Sequence, residues 1–412
     1  MGNLNETPNS SRLQIAIFGR RNAGKSSLIN ALTGQKVALV AEEPGTTTDP
    51  VVKAMELLPL GPVALIDTAG IDDTGALGEL RVERTYQVLN RCDLAMLVLD
   101  SRAGITHFEV ELLRKIRSQR IPVVGVVNQV DREGYDSAQR LKWQEQLQLE
   151  LVEVSAQTGA GISELKMALI MEALRAEQGS SLAGDLFEPG DWVVLVIPID
   201  SAAPKGRLIL PQQQVFREIL DRGGIAIATK EDRLQETLAH LGRKPALVIT
   251  DSQAFKKVAA ETPLEIPLTS FSILFARFKG DFIELVKGAK ALKDLRPGDR
   301  VLVAEGCTHH RQCDDIGTVK IPKWLRQLAG GELEFEWASG MSMPQDLPGY
   351  RLIIHCGGCM LNRREMGYRV ALAKEQGVPI VNYGVFIAYA QGAFPRALRP
   401  FPELKGLLEE FG

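Results

Sequence analysis

The chain has 412 residues, of which 45% are hydrophobic and 24% charged, and its formal net charge is −3. That length exceeds one ordinary core, and that charge gives no global reason to expect nucleic acid or an anionic membrane as a partner. Five cysteines do not make a disulfide framework, and no apolar run reaches the ~20 residues of a membrane helix.

The opening MGNLNETPNSSR lacks the basic-then-apolar order of a signal peptide, and Glu6 stands where myristoylation wants Ser or Thr, so a cytoplasmic protein is expected. Residues 1–175 alternate apolar strands (RLQIAIFG, PVALIDTAG, LAMLVLD, PVVGVVNQ, LELVEVSA) with helical stretches (KSSLINALTG, VERTYQVLNR, FEVELLRKIRSQ, ISELKMALIMEALRAE). Continuous apolar runs bounded by Gly, Asp or Asn belong to parallel sheets covered on both faces, so a doubly wound α/β domain is expected. Cys92, between a helix end and a buried strand, reads as a small core hydrophobe.

The first strand runs into Gly19-Arg-Arg-Asn22-Ala23-Gly24-Lys25-Ser26-Ser27, the G-x-x-x-x-G-K-S loop of a P-loop, and then into a helix. Its glycines let backbone N–H groups curl round phosphate at a helix N-terminus. Lys25 is expected to reach the β- and γ-phosphates, and Ser26 to ligate Mg²⁺. Further parts follow in order. PGTTTD carries threonines for a switch segment, and LIDTAG ends a strand with Asp67 and Gly70, a metal-side carboxylate and a backbone donor to the γ-phosphate. VVNQVD carries Asn128 and Asp131, whose carboxylate can accept both the N1 and N2 hydrogens of guanine, and VSAQTG puts Ser155 and Ala156 at the base. Together they make a guanine-nucleotide site.

This part of the chain resembles the translation-factor-like GTPases with an Asn in the loop and a G-T-T switch. The resemblance implies Thr47 on Mg²⁺ and Asn22 on a monovalent cation, K⁺. Ile71 stands where Ras-type enzymes carry a water-positioning Gln, so hydrolysis is expected to be slow without K⁺, a partner or a second subunit. Gln129 replaces the family's usual Lys, a change that bears on affinity more than on base choice. Glu79 and Glu83 read as a solvated helical face.

AEQGSSLAGDLFEPGD reads as a linker. Within residues 176–266, WVVLVIPID, GIAIAT and PALVIT then alternate with helical QQQVFREILDRG, EDRLQETLAHLG and SQAFKKVAAE, a smaller α/β unit with an interaction or spacer role. Residues 267–412 form a third α/β domain, with strands in DRVLVAEG, ELEFEWA, YRLIIHCGG and VPIVNYG.

In this third part AEGCTHHRQCDDIG packs two cysteines, two histidines and two aspartates into nine positions. Cys307-x-His309 and His355-Cys356-Gly-Gly-Cys359 both follow apolar strands, and strand C-terminal ends line one edge of a parallel sheet, where the two groups can converge. Gly357 and Gly358 free backbone N–H groups for thiolate or sulfide. Three thiolates plus one other ligand suit either Zn²⁺ or a [4Fe–4S] cluster, and spacing alone does not choose. Asp314, His309 and His355 are the candidates for the fourth position, with Asp314 preferred as an exchangeable carboxylate. His310 reads as an outer or surface residue, and Cys313 is unassigned.

A GTPase domain, a middle domain and a C-terminal domain carrying CxH…HCxxC together resemble the HydF family, the GTPase maturation factors of [FeFe]-hydrogenase. The resemblance implies a homodimer joined through the middle domain and a [4Fe–4S] cluster on Cys307, Cys356 and Cys359. It also implies that a di-iron precursor carrying CO and CN⁻ passes from radical-SAM maturases through this scaffold to apo-[FeFe]-hydrogenase, with neither nucleic acid nor membrane as a partner. The alternative is a zinc-containing GTPase of ribosome assembly or tRNA modification. A redox enzyme ranks last, since no flavin or dinucleotide loop is visible.

Overall fold

A computed structural model describes residues 11–34, 51–70, 76–177, 181–199, 208–306, 315–340, 343–358 and 360–411. Thr47, Ile71, Cys307, His309, His310, Cys313, Asp314 and Cys359 lie outside the described residues. The chain divides into two compact units, Met1–Gly179 and Ser180–Gly412.

The first unit runs β1 (Leu13–Phe18), α1 (Lys25–Thr33), β2 (Val51–Leu57), β3 (Gly61–Asp67), α2 (Ala76–Leu89), β4 (Leu94–Asp100), α3 (His107–Ser118), β5 (Val123–Asn128), α4 (Ser137–Leu147), β6 (Leu151–Val154) and α5 (Ile162–Glu177). Its sheet has the order β2-β3-β1-β4-β5-β6, parallel except for β2, which pairs antiparallel with β3. Alternate residues of β1 enter opposite cores, Ile15 and Ile17 with α1 and α5, Ala16 and Phe18 with α2, α3 and α4. Two apolar faces are why that strand reads as an unbroken apolar run. Cys92 is fully buried in the second of these cores.

The second unit begins with β7 (Trp192–Val196), α6 (Leu210–Asp221), β8 (Ile225–Thr229), α7 (Leu234–His240), β9 (Leu247–Thr250), α8 (Phe255–Glu261), β10 (Leu268–Ser270), α9 (Phe271–Lys279) and α10 (Phe282–Gly288). It continues with β11 (Arg300–Glu305), α11 (Ile321–Ala329), β12 (Glu334–Ser339), β13 (Leu352–His355), α12 (Arg363–Glu375), β14 (Ile380–Asn382), α13 (Tyr383–Ala390), α14 (Phe394–Leu398) and α15 (Lys405–Glu409). Two four-stranded parallel sheets result, β10-β9-β7-β8 and β12-β11-β13-β14. One apolar core runs through both, with Val194 and Ile249 from the first sheet, Val303 and Ile354 from the second, and Phe271, Phe275 and Phe386 from helices.

The stretch expected to be a linker is instead packed from Leu182 onward. Leu182, Ala183 and Phe187 are buried in that core, and the Glu218 carboxylate accepts from the backbone N–H groups of Leu182 (3.0 Å) and Ala183 (2.7 Å). Among the described residues no helix is long and apolar enough to cross a membrane.

Candidate functional sites

The nucleotide loop sits between β1 and α1. Gly24 caps α1 in a left-handed conformation, φ 84°, and a Cβ there would fall 2.3 Å from Asn128 Nδ2. Only glycine meets both demands, so the second loop glycine is fixed by backbone and neighbour alike. Lys25 is buried, and its ammonium donates to the carbonyls of Gly19 (2.8 Å) and Arg20 (2.9 Å). The lysine is thereby held over the loop. Ser26 and Ser27 are exposed beside it.

Sheet order brings the remaining parts to the same edge. Ser26 Oγ donates to Asp67 Oδ2 at 2.5 Å, and the other carboxylate oxygen, Oδ1, is buried with no protein partner. Burial, offset by Ser26, Lys25 and Lys53, pushes the Asp67 carboxyl above its usual range. A hydroxyl and an orphaned carboxylate oxygen are the hard donor set that Mg²⁺ takes, and its charge would relieve that desolvation. Asp67 is followed by Thr68, whose hydroxyl donates to Ile17 O (2.6 Å), and by buried Gly70.

Asn128, fully buried, spans the site. Its Nδ2 donates to Ala23 O (2.9 Å), and its Oδ1 accepts from Ala156 N–H (3.2 Å). It ties the loop after β1 to the loop after β6, and Asp131 is exposed. Ser155 is buried and shapes that loop, its Oγ accepting from Thr158 N–H (3.1 Å). Exposed Asn22 has a left-handed backbone, φ 63°.

Two contacts here were not anticipated. Gln129 Nε2 donates to Asn22 O (2.8 Å), so the residue in the lysine's place still grips the phosphate loop. Arg20 binds buried Glu109 (2.6 Å) and Gly104 O (2.9 Å). Glu109 also closes the capping box of α3 with Thr106, so the loop is braced against that helix.

In the second unit β11 and β13 are adjacent and parallel, and the chain leaves both at one edge. Cys356 Sγ accepts from the backbone N–H groups of Gly306 (3.0 Å) and Gly358 (3.3 Å). A Cβ on Gly306 would lie 2.7 Å from Leu361 Cγ, so the two loops are pressed together at the residue before Cys307. Paired N–H donors to sulfur favour the thiolate, the form that binds metal. Among the described residues no group of three His, Cys, Asp or Glu is placed to hold a metal. Cys307, Cys359, Asp314 and His309 lie outside those residues.

His355 is fully buried, and both its ring nitrogens are engaged. Nδ1 donates to Cys356 O (2.8 Å), and Nε2 accepts from Arg369 Nη1 (3.1 Å). Burial and the neighbouring guanidinium lower its pKa to about 3, which leaves a neutral imidazole at pH 7. Arg369, itself buried, also bonds Glu365 (2.8 Å) and Gly340 O (2.6 Å). This network supports the thiolate loop from behind, and sequence spacing gave no sign of it.

The first unit is therefore a P-loop GTPase domain, as its strand–loop–helix, Ser26–Asp67 pair and Asn128 bridge define it. A family profile described as 50S ribosome-binding GTPase matches residues 14–129. Profiles of the hydrogen maturase F dimerization and tetramerization domains match residues 182–280 and 283–400. The chain belongs to the hydrogen maturase F family, and it carries that family's self-association domains.

Curated relatives include the tRNA modification GTPase MnmE of Nitrosomonas europaea, 37% identical over 39% of this chain and 35% of its own length. GTPase Der of Bartonella quintana is 36% identical over 40% of this chain and 35% of its own. The chain spans about a third of the length of the curated relatives it matches. Among solved structures, Era of Aquifex aeolicus bound to GDP·AlF4⁻ aligns at 22% identity with a TM-score of 0.34, covering 56% of this chain and 98% of that one.

Proposed function

We propose that the chain is a GTP-hydrolysing scaffold and carrier of hydrogenase maturation. It binds a [4Fe–4S] cluster and assembles or delivers the di-iron CO/CN⁻ precursor to apo-[FeFe]-hydrogenase. The observation that carries the metal half is Cys356, whose sulfur receives two backbone N–H groups, one of them from Gly306, the residue before Cys307. Cys307, Cys356 and Cys359 are the proposed thiolates, and the cluster would present the exchangeable iron to which cargo attaches. Asp314 remains the preferred fourth ligand and His309 the second. His355 is better suited to support, because ligation would break its bond to Arg369.

In the GTPase half, Gly19, Asn22, Ala23, Gly24, Ser26 and Ser27 line the phosphates, and Lys25 neutralises them. Ser26, Thr47 and Asp67 hold Mg²⁺, which would draw charge from the β- and γ-phosphate oxygens. Gly70 donates to the γ-phosphate, and Asp131, with Ser155 and Ala156, selects guanine. K⁺ near Asn22 stimulates hydrolysis. The radical-SAM maturases and apo-hydrogenase are the proposed protein partners, gained or lost as γ-phosphate orders and hydrolysis releases the switch segment. Homodimerisation runs through the middle sheet.

Anaerobic protein supplied with iron and sulfide is expected to show iron–sulfur absorption and an EPR signal on reduction, both lost or altered in Cys356→Ser. One tightly held zinc per chain and no such signal would replace this reading with the zinc GTPase. Lys25→Ala is expected to abolish phosphate release from GTP and leave the EPR signal unchanged.

A further inference from the structure

Arg20 follows the first glycine of the nucleotide loop, and it is held at both ends. Its carbonyl accepts from the Ala23 N–H (3.4 Å) and from the Lys25 ammonium (2.9 Å). Its guanidinium leaves the loop for the segment between β4 and α3, where Nε donates to Glu109 Oε1 (2.6 Å) and Nη2 to Gly104 O (2.9 Å). Glu109 is 1% exposed, and its second oxygen accepts from the N–H (2.8 Å) and the hydroxyl (2.6 Å) of Thr106. The anchor is therefore fixed on its own side before Arg20 reaches it. For its own order α3 has other means, since the Thr106–Glu109 capping box starts it and buried Leu112, Leu113 and Ile116 pack it.

We propose that Arg20 is a positioning residue of the GTPase site. Anchored on Glu109, it sets the peptide whose carbonyl holds the Ala23 N–H and Lys25, so the loop is shaped before nucleotide arrives. Without the anchor the loop must be ordered at the expense of binding, and preordering of this kind acts on affinity. Bound nucleotide orders the loop in either protein, so the chemical step changes little. This rests on the nucleotide site and is independent of the iron–sulfur reading.

The test uses the full chain, titrated with a fluorescent GDP and assayed for GTP hydrolysis. Arg20→Met is expected to weaken GDP binding and raise the KM for GTP about tenfold, with kcat within about twofold of wild type. Arg20→Lys, which keeps a cation for Glu109, should bind GDP at least about threefold more tightly than the Met variant. Glu109→Gln sets an NH2 group against one of its two donors, so it should weaken GDP by a factor like that of Arg20→Met. The double variant should bind no worse than the weaker single one. Unchanged GDP affinity and KM in Arg20→Met overturn the positioning role, as does a fall in kcat at unchanged KM. Losses that multiply in the double variant overturn the route through Glu109. Hydrogen exchange across His107–Ser118 should match wild type in Arg20→Met; faster exchange there with unaltered affinity assigns the pair to holding α3 instead. If Arg20→Met does not fold by circular dichroism, Arg20→Gln takes its place under the same criteria. Wild-type protein that binds no GDP removes the nucleotide site itself, and the proposal with it.

Discussion

Gln129 carries a left-handed backbone, φ 67°, steadied by Ser101 Oγ on its carbonyl at 2.8 Å. Its side-chain amide reaches the phosphate loop at Asn22 O, so the loop is gripped without a cation. One such bond contributes about 1 kcal/mol. Gln129→Leu is therefore expected to weaken GDP binding about fivefold in a fluorescent-nucleotide titration, with guanine preference intact; unchanged affinity would show that the loop does not depend on this bond. Asp131→Asn should do the reverse, losing guanine affinity by about tenfold or more, because an amide cannot accept from both N1 and N2 without opposing one of them with a donor. The nucleotide site was legible as short motifs because the P-loop, LIDTAG, VVNQVD and VSAQTG all lie at strand ends, and strand ends share an edge. The bonds joining them were not, since Gln129–Asn22 and Arg20–Glu109 span 107 and 89 positions and meet only through strand order. His355 was visible as a possible donor, but nothing local showed that buried Arg369 would occupy it.

At the scale of elements, β2 and α4 were not picked out in the sequence because their periodic signals are weak. β2 is an antiparallel edge strand whose VVKAMEL faces solvent along most of its length, and α4 buries only Trp143 and Leu147. The stretch around residues 182–187 looked like a linker because Gly, Ser and acid dominate it, yet its acid is used. Asp185 forms a two-bond pair with Arg277 at 2.8 and 2.5 Å, and Arg277 also binds Glu403 at 2.6 Å. That joins the start of the second unit to α9 and to the turn before α15. Arg277 holds the Asp185 carboxyl below the usual carboxylate range. A lowered folded pKa gives stability above the unfolded value that is lost as pH falls through the folded one. Asp185→Asn should therefore lower the melting temperature at pH 7, with the gap to wild type narrowing as pH falls below the ordinary carboxylate range. The carboxylate is half-exposed, so the neutral-pH cost is about 1 kcal/mol or less. A gap that stays constant from pH 7 to pH 3 would assign the effect to packing instead of charge.

At the scale of the whole molecule, the question is which surface a second copy would use. The sheet β10-β9-β7-β8 has two edges. The β10 side is occupied by the C-terminal region, where Arg396 donates to the carbonyls of Ala259 (2.6 Å), Thr262 (2.5 Å) and Pro263 (2.9 Å). β8 is the other edge, and its sequence IAIAT has neither the Lys nor the Pro with which monomeric proteins blunt such strands. Ile225 is 47% exposed there. Its N–H donates inward to Asp191 O at 2.8 Å, so by the alternation of a strand the N–H groups of Ala226 and Ala228 face outward. Two copies related by a two-fold axis can pair these edges and continue the sheet. Proline at Ala228 removes one outward donor without breaking a bond to β7, a substitution that edge strands tolerate. Ala228→Pro is thus expected to weaken self-association by at least about tenfold in sedimentation equilibrium, while circular dichroism and GTP hydrolysis per chain at saturating K⁺ stay as in the wild type. If the variant self-associates with wild-type affinity, β8 is not the pairing edge, and the dimer must close through another face of residues 182–280.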